Sequence, residues 1–206
     1  KLLMPPFHGP RMRAYGALMA ETARRAAAAW KVGAPFKMLD STQGISLDVI
    51  LQAVFGVDHA SPQGQAVREA VLRFMGSVRP TFLFMQWMRR DFFGLSGWAR
   101  FKKAREHLDS MLFAMMAERR ENPAQRDDIL SLMMSARYDD GGAMSDVELR
   151  DQLLTLLGAG NETTAVALSW ALYWLHKDPQ ELGRVLAEID GLGPSAEPDA
   201  IAALPY

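Results

Sequence analysis

The chain has 206 residues, of which 49% are hydrophobic and 23% are charged, and its formal net charge at pH 7 is -1. This composition predicts a soluble globular protein with enough apolar material for a core, and its interspersed charges disfavour binding to nucleic acid or to an anionic membrane surface. The sequence has no cysteine, and its four histidines are too scattered to form a metal-ligand pair at helical spacing, so disulfides, cysteine nucleophiles and zinc sites are not expected.

Helical periodicity dominates the chain, and Gly, Pro and capping residues divide it into segments. Asp40 and Ser41 are typical caps for a helix that Gly56 would end, and a short extended piece is expected just before them, from Phe36 to Leu39. In chain order, helices are predicted at about 10–30, 41–55, 62–79, 98–120, 127–136, 146–177 and 179–190. No alternating pattern is strong enough to predict a sheet. The expected fold is therefore mainly α, a multi-helix orthogonal array around one long central helix.

Aromatic and thioether side chains crowd the irregular connection from Thr81 to Gly97. They are Phe82, Phe84, Met85, Trp87, Met88, Phe92 and Phe93. Two interpretations of this stretch remain open. It is either a mobile apolar flap over a ligand pocket or a loop folded onto its own small core.

The longest predicted helix contains a polar interruption. Ser145 and Glu148 form a capping-box pattern at its start, and Asp178-Pro179 begins the next helix. Between them, an apolar run is interrupted by Ala159-Gly160-Asn161-Glu162-Thr163-Thr164. Three interpretations compete: a membrane span, a plain buried core helix, and a core helix that lines a reaction chamber. Glu162 near the middle disfavours a span, because a charge there costs about 2.5–3.5 kcal/mol.

Small side chains around this hexapeptide predict a shallow face that would seat either another helix or a flat cofactor. The face consists of Ala159, Gly160, Thr163 and Ala167, bounded by Leu156 and Trp170. The Thr163 hydroxyl can donate a hydrogen bond back to the Ala159 carbonyl, which loosens the turn. Glu162, if buried, could hold a proton and pass it inward. From the residues alone, two interpretations remain open: a proton-delivery device beside a flat apolar seat, and a plain core helix packed closely against another.

The hexapeptide resembles the oxygen-activation motif of the cytochrome P450 family, the haem-thiolate monooxygenases, whose pattern A/G-G-x-D/E-T-T/S is matched at every specified position. The flanking residues 149–154, 168–175 and 178–179, and residues 2–7 near the start, are also similar to that family. The likeness therefore covers nearly the whole chain, from the end of the family's C helix to just before its K helix. It implies a single incomplete domain, residues 1–206, with the central I helix at about 146–177.

The resemblance implies roles for particular residues of the hexapeptide. Thr163 and Glu162 would be catalytic, with Thr163 hydrogen-bonded to dioxygen at the iron or to its water and Glu162 in the proton relay. Haem b would be the cofactor, and it would lie against Ala159, Gly160, Thr163 and Thr164. The substrate pocket would be bordered by Leu156, Ala159 and Thr163. The aromatic stretch would correspond to the connection between the family's F and G helices.

The implied parent protein inserts one oxygen atom from O2 into a hydrophobic small molecule, using electrons from a ferredoxin or a reductase. It would be cytoplasmic, with no transmembrane segment and no nucleic-acid partner. The family's iron ligand is a cysteine thiolate, which this sequence lacks, so no metal ligand is assigned. We therefore expect an internal piece of a longer protein that is inactive alone and does not bind haem in the family's manner.

Two further hypotheses accompany this interpretation. A basic run could dock the redox partner, although a solvated helix face is the simpler explanation. The run consists of Arg89, Arg90, Arg100, Lys102, Lys103 and Arg105. The alternative function is a non-catalytic helical ligand-binding or interaction protein, complete as given.

Overall fold

The computed structural model describes residues 10–85, 87, 89–91, 94, 96–122, 126–193 and 197–205. The helices within these ranges are α1 (Pro10–Ala28), α2 (Met38–Phe55), α3 (Pro62–Ser77), α4 (Thr81–Phe84), α5 (Gly97–Glu121), α6 (Ile129–Ser135), α7 (Asp146–Lys177), α8 (Pro179–Leu192) and α9 (Pro198–Ala202). The same ranges contain no β-strand, only an isolated antiparallel bridge between Arg137 and Ala143. The mainly helical fold predicted from the sequence is confirmed.

Capping chemistry explains several helix ends. Ser61 caps α3, and its hydroxyl accepts a hydrogen bond of 2.9 Å from the Gly64 amide. Gly56 follows α2 with a φ of 62°, a left-handed conformation that glycine adopts without steric cost. Asp178 caps α8 through the amides of Gln180 and Glu181. These three ends agree with the predictions from the sequence.

The prediction for the start of α2 was wrong. The helix begins at Met38, so the expected extended piece from Phe36 to Leu39 is partly helical, and Asp40 lies inside the first turn. A carboxylate is favourable in the first turn as well as at the cap, because the helix dipole is positive there. The Ser41 hydroxyl accepts a hydrogen bond of 2.9 Å from the Trp30 indole instead of capping the helix.

The chain forms two compact units. One consists of residues 3–50 and 159–206, and the other of residues 51–158. The buried apolar side chains of the second unit come mainly from α3, α5, α6 and the first part of α7; they include Val67, Val71, Leu108, Leu112, Met116, Leu130, Met133, Leu149, Leu153 and Leu157. The assignment of residues 1–206 to a single incomplete domain stays a prediction.

A buried arginine joins three helix ends within the unit of residues 51–158. Arg119 of α5 forms an ion pair with Asp128, the N-cap of α6, and donates a hydrogen bond of 2.9 Å to Ser131. Its other terminal nitrogen donates to the carbonyl of Phe55, the last residue of α2, at 2.6 Å. A buried charge is tolerated when it is paired and hydrogen-bonded in this way.

Among its described residues, the aromatic connection contributes one buried ring, Phe82, to the same unit. Phe82 packs edge-on against Trp98 with 5.5 Å between ring centroids, and its carbonyl accepts a hydrogen bond of 2.6 Å from Arg89. Phe84 and Trp87 are exposed. Phe82 supports the interpretation of a loop folded onto a small core. The other part of the prediction, concerning Met88, Phe92 and Phe93, lies outside the described residues.

Candidate functional site

The longest helix, α7, has the bounds expected from its capping residues, Asp146–Lys177. The predicted capping box is present: the Glu148 carboxylate accepts a hydrogen bond of 2.8 Å from the Ser145 amide, and the Ser145 hydroxyl accepts one of 3.3 Å from the Glu148 amide. Next to it, Arg120 forms an ion pair with Asp146 and holds the pKa of that carboxyl below its ordinary value, chiefly by hydrogen bonding. No helix in the described ranges, α7 included, combines the length and apolarity that a membrane crossing requires.

The local hydrogen bond predicted within the hexapeptide is confirmed. The Thr163 hydroxyl donates to the carbonyl of Ala159, four residues earlier. A side-chain hydroxyl bonded in this way competes for a carbonyl that the helix ladder also uses, which weakens the turn. The bond also fixes the Thr163 hydroxyl beside the backbone of Ala159.

The small residues of the hexapeptide leave one side of α7 open. Ala159, Thr163, Thr164 and Ala167 are all exposed. Glu162 is exposed as well, so the condition of burial under which it could hold a proton and pass it inward is not met in this chain. Because Ala159, Thr163, Thr164 and Ala167 carry only methyl and hydroxyl groups, a flat apolar surface can approach the α7 backbone closely along these four residues.

The opposite side of the same turns is buried against α2. A Cβ atom placed on Gly160 would lie 3.2 Å from Cδ1 of Ile50, which is tighter than an ordinary van der Waals contact. Helix packing therefore accounts for a glycine at this position. The role of Gly160 in holding a cofactor stays a prediction, and any such contact would be made by its backbone.

Two buried hydroxyls of α2 reach the α7 backbone at this point. The Ser46 hydroxyl donates to the carbonyl of Asn161 at 3.2 Å, and the Thr42 hydroxyl donates to the carbonyl of Ala165 at 3.0 Å. Neither Thr42 nor Ser46 was predicted from the sequence. Their spacing of four residues within an apolar helix is the signal that could have revealed them, because it places both hydroxyls on one helix face.

The apolar pattern predicted a helix buried on every side, but the second half of α7 is partly exposed. Trp170, Tyr173 and Trp174 are exposed and pack against one another, with 5.7 Å between the rings of Trp170 and Tyr173. Leu168 is also exposed. Periodicity records which faces are apolar but not which of them this chain can cover.

Leu156, predicted to border the substrate pocket, is half-buried in the unit of residues 51–158.

Among the described residues, no group of three or more His, Asp or Glu side chains could hold a metal ion. Histidine and carboxylate ligands for a metal therefore do not converge in this part of the chain.

The basic run divides into residues with different environments. Lys102 forms an ion pair of 2.9 Å with Asp91, and Arg89 lies over the ring of Trp98 at 5.9 Å. Arg100 and Lys103 are exposed and line a cavity of about 530 Å³ between α3 and α5. Part of the run thus has structural contacts, and the exposed part fits a solvated helix face.

Comparison with known proteins gives a consistent assignment. The sequence model of the family described as "Cytochrome P450" matches residues 1–206. The chain is 38% identical over 197 residues to a Mycobacterium tuberculosis protein named "Putative cytochrome P450 137". The aligned region covers 94% of this chain and 41% of that relative. The chain is 35% identical over 195 residues to "Putative cytochrome P450 138" of Mycobacterium bovis, covering 94% of this chain and 44% of the relative.

A solved structure shows the same fold. The crystal structure of the cytochrome P450DA heme domain matches with a TM-score of 0.75 and 25% sequence identity, over 98% of this chain and 45% of that chain. This chain belongs to the cytochrome P450 family. It spans less than half the length of the relatives and of the solved structure that it matches.

Proposed function

We propose that the protein containing this chain is a haem-thiolate monooxygenase that acts on a hydrophobic small molecule. One atom of O2 enters the substrate and the other leaves as water, with two electrons from a ferredoxin or reductase and two protons. The observation that carries the proposal is the Thr163 hydroxyl, held by the Ala159 carbonyl on an exposed face beside Glu162. Family membership and this turn favour an enzyme over a non-catalytic helical protein.

The open face of α7 fits the flat group that the family implies. Ala159, Thr163 and Ala167 follow one another at intervals of four residues and are exposed, and none extends beyond a methyl or hydroxyl group. The backbone of Gly160 and the side chain of Thr164 complete the proposed haem contact. When bound, haem supplies the redox chemistry and the binding of O2. The thiolate ligand must come from outside this sequence, which has no cysteine.

Within this scheme, the residues of the turn handle protons. Thr163 offers a hydroxyl that can donate one hydrogen bond and accept another, so it can orient a water or an oxygen atom above the face. Glu162 is exposed in this chain and can exchange protons with water, which suits the outer end of a relay. Leu156 and the methyl groups of Ala159 and Thr163 would border the substrate.

Three further parts of the proposal concern the chain and its setting. The 206 residues alone are expected to be inactive and not to bind haem in the family's manner, because they supply no thiolate. The parent protein is proposed to be cytoplasmic. The proposed substrate class is a hydrophobic small molecule.

Substitution of Thr163 in the full-length parent enzyme tests the role of this hydroxyl. Thr163→Ala should reduce product formed per reductant consumed by about tenfold or more, because a positioned proton donor contributes about 10²–10⁴-fold to the rate of its step, and should raise peroxide release correspondingly. Thr163→Ser should restore most of the coupling. Thr155→Val is a matched control, because the Thr155 hydroxyl makes the same type of bond, to Asp151 of α7 at 2.8 Å. Equal coupling in wild type and Thr163→Ala would refute the assignment.

A further inference from the structure

Two hydroxyls of α2 match two carbonyls of α7 in spacing. Thr42 and Ser46 are four residues apart, and so are Asn161 and Ala165, whose carbonyls accept their hydrogen bonds at 3.2 Å from Ser46 and 3.0 Å from Thr42. Each pair is one helical turn apart. The two bonds therefore join α2 to α7 at two successive helical turns. Thr42 and Ser46 together are here named the hydroxyl clamp.

The hydroxyl clamp is buried. Thr42 is 2% exposed and Ser46 is 5% exposed, and a hydroxyl removed from water in this way is unfavourable unless it is hydrogen-bonded. A carbonyl oxygen has two lone pairs, and within a helix one of them accepts the amide four residues later. A hydroxyl of α2 can bond to the second lone pair, and unlike the Thr163 hydroxyl it ties the α7 carbonyl to a neighbouring helix.

The Thr42 hydroxyl has one hydrogen and three oxygen atoms within reach. They are the Ala165 carbonyl at 3.0 Å, the Leu39 carbonyl of its own helix at 3.1 Å and the Ser169 hydroxyl at 2.7 Å. If Ser169 donates to Thr42, the Thr42 hydrogen can go to Ala165 or to Leu39; if Thr42 donates to Ser169, then Ser169 can donate to Ala165 at 2.9 Å. Thr42 is bonded to α7 in each arrangement, through Ala165, through Ser169 or through both.

The two clamped carbonyls bracket the residues to which the chemistry was assigned. Asn161 immediately precedes Glu162, and Ala165 immediately follows Thr164. The Thr163 bond to Ala159 weakens this same turn. An unsupported turn of this kind would let the Thr163 hydroxyl change position, which a proton donor cannot tolerate without losing alignment.

We propose that Thr42 and Ser46 are positioning residues, which hold the backbone on both sides of the Glu162–Thr164 segment so that the Thr163 hydroxyl keeps one position. The consequence for turnover rests on the monooxygenase function proposed above. The mechanical part, that the two hydroxyls hold the α7 backbone in place, does not rest on that function, because it concerns only the contacts between α2 and α7. The two parts can therefore be measured separately.

Amide hydrogen exchange in the full-length holoenzyme tests the mechanical part. Ser46→Ala and Thr42→Val each remove one hydroxyl, and exchange of the amides from Gly160 to Ala165 should become about five- to tenfold faster than in wild type. The conservative variants Ser46→Thr and Thr42→Ser keep the hydroxyl and should restore slow exchange. Thr155→Val, which removes a hydroxyl of α7 outside the clamp, should leave these amides unchanged. Exchange that is as slow in both deletion variants as in wild type would overturn the proposal.

Coupling and substrate binding in the same holoenzymes test the consequence for turnover. The deletion variants should release about three- to fivefold more peroxide per reductant, while the substrate dissociation constant changes less than twofold. Ser46→Thr should recover the wild-type ratio. Faster exchange without any change in peroxide release would refute the role in positioning Thr163. If Thr163→Ala itself leaves coupling unchanged, the monooxygenase assignment of Thr163 fails, and the exchange data still decide whether the clamp holds the turn.

Discussion

Arg119 and Asp128 form an ion pair in which the side chains are only 5% and 4% exposed. The pair is not isolated, because Arg119 also donates to the Phe55 carbonyl at 2.6 Å. Asp128 accepts the Ser131 amide at 2.9 Å as the cap of α6. A single charged pair thereby connects the end of α2 to α5 and α6.

We expect Arg119→Met to destabilise the chain by about 3–5 kcal/mol, because it leaves the Asp128 carboxylate buried without its partner. The double variant Arg119→Met/Asp128→Asn should recover part of this loss, since the amide oxygen can still cap α6 and no charge remains buried. Urea unfolding followed by circular dichroism measures both. A loss below about 1 kcal/mol for the single variant would contradict the inferred importance of the pair.

Gly56 should be the most demanding glycine near this pair. Its φ of 62° disfavours any residue with a side chain, and a Cβ there would lie 2.8 Å from a carboxylate oxygen of Asp128. Gly56→Ala should therefore lower the unfolding free energy by about 2 kcal/mol. Gly183→Ala in α8 is the matched comparison, because nothing lies within 4 Å of a Cβ at Gly183. It should be stabilising by about 0.5–1 kcal/mol; equal effects of the two changes would disprove the distinction.

The start of α7 should be sensitive to acid. The pKa of Asp146 is lowered from its ordinary value of 3.8, chiefly by the hydrogen bond from Arg120. Because the folded state binds this proton less readily than the unfolded state, the stabilisation is fully present above pH 3.8. It is lost as the pH falls through the lowered pKa.

The Asp146→Asn variant should therefore show no loss of this stabilisation as the pH falls. Chemical-shift titration of the α7 N-terminal amides from pH 6 to pH 2, in wild type and in the variant, measures the acid-dependent change. Because the pair is half exposed, about 0.5 M salt should weaken the effect in wild type. A titration of Asp146 at or above its ordinary value would show that Arg120 does not act on it.

The exposed aromatic side chains of α7 should bind apolar probes. Trp170, Tyr173 and Trp174 pack together at the surface, and Trp174 is 63% exposed. We expect the 206-residue chain to enhance the fluorescence of the dye ANS and expect Trp170→Ser/Trp174→Ser to remove most of that signal. Trp87→Ser is the control, because Trp87 is 68% exposed but lies outside this cluster. An equal loss of ANS fluorescence in Trp87→Ser and in Trp170→Ser/Trp174→Ser would show that the dye binds any exposed tryptophan and not the cluster.

Capping and periodicity predicted most of the helices, because both depend on neighbours along the chain. Ser61, Gly56 and the Ser145–Glu148 pair lie where the local rules place them. The start of α2 was missed because Asp40 is favourable at more than one position of a first turn. The short helix α9, Pro198–Ala202, was missed because the Gly- and Pro-rich sequence around it is typical of a loop.

The candidate site was predictable only in its local part. The bond from Thr163 to Ala159 follows from a spacing of four residues within one helix. Contacts between Ser46 and Asn161 depend on how two helices distant in sequence face each other, which a single sequence does not encode locally. The exposure of Glu162 could not be predicted for the same reason, since burial is a property of the whole chain and not of a motif.

The division of α7 into a side held by α2 and a side with only small, exposed groups has a consequence for how such a protein can change. Ala159, Thr163 and Ala167 are exposed, whereas Gly160 faces Ile50 on the held side, so substitutions at the three exposed positions should alter the open side alone. Selection or laboratory evolution can therefore vary the chemistry along one edge of the helix while the opposite edge preserves its anchorage. A library restricted to these three positions is expected to retain the wild-type melting temperature in most of its members.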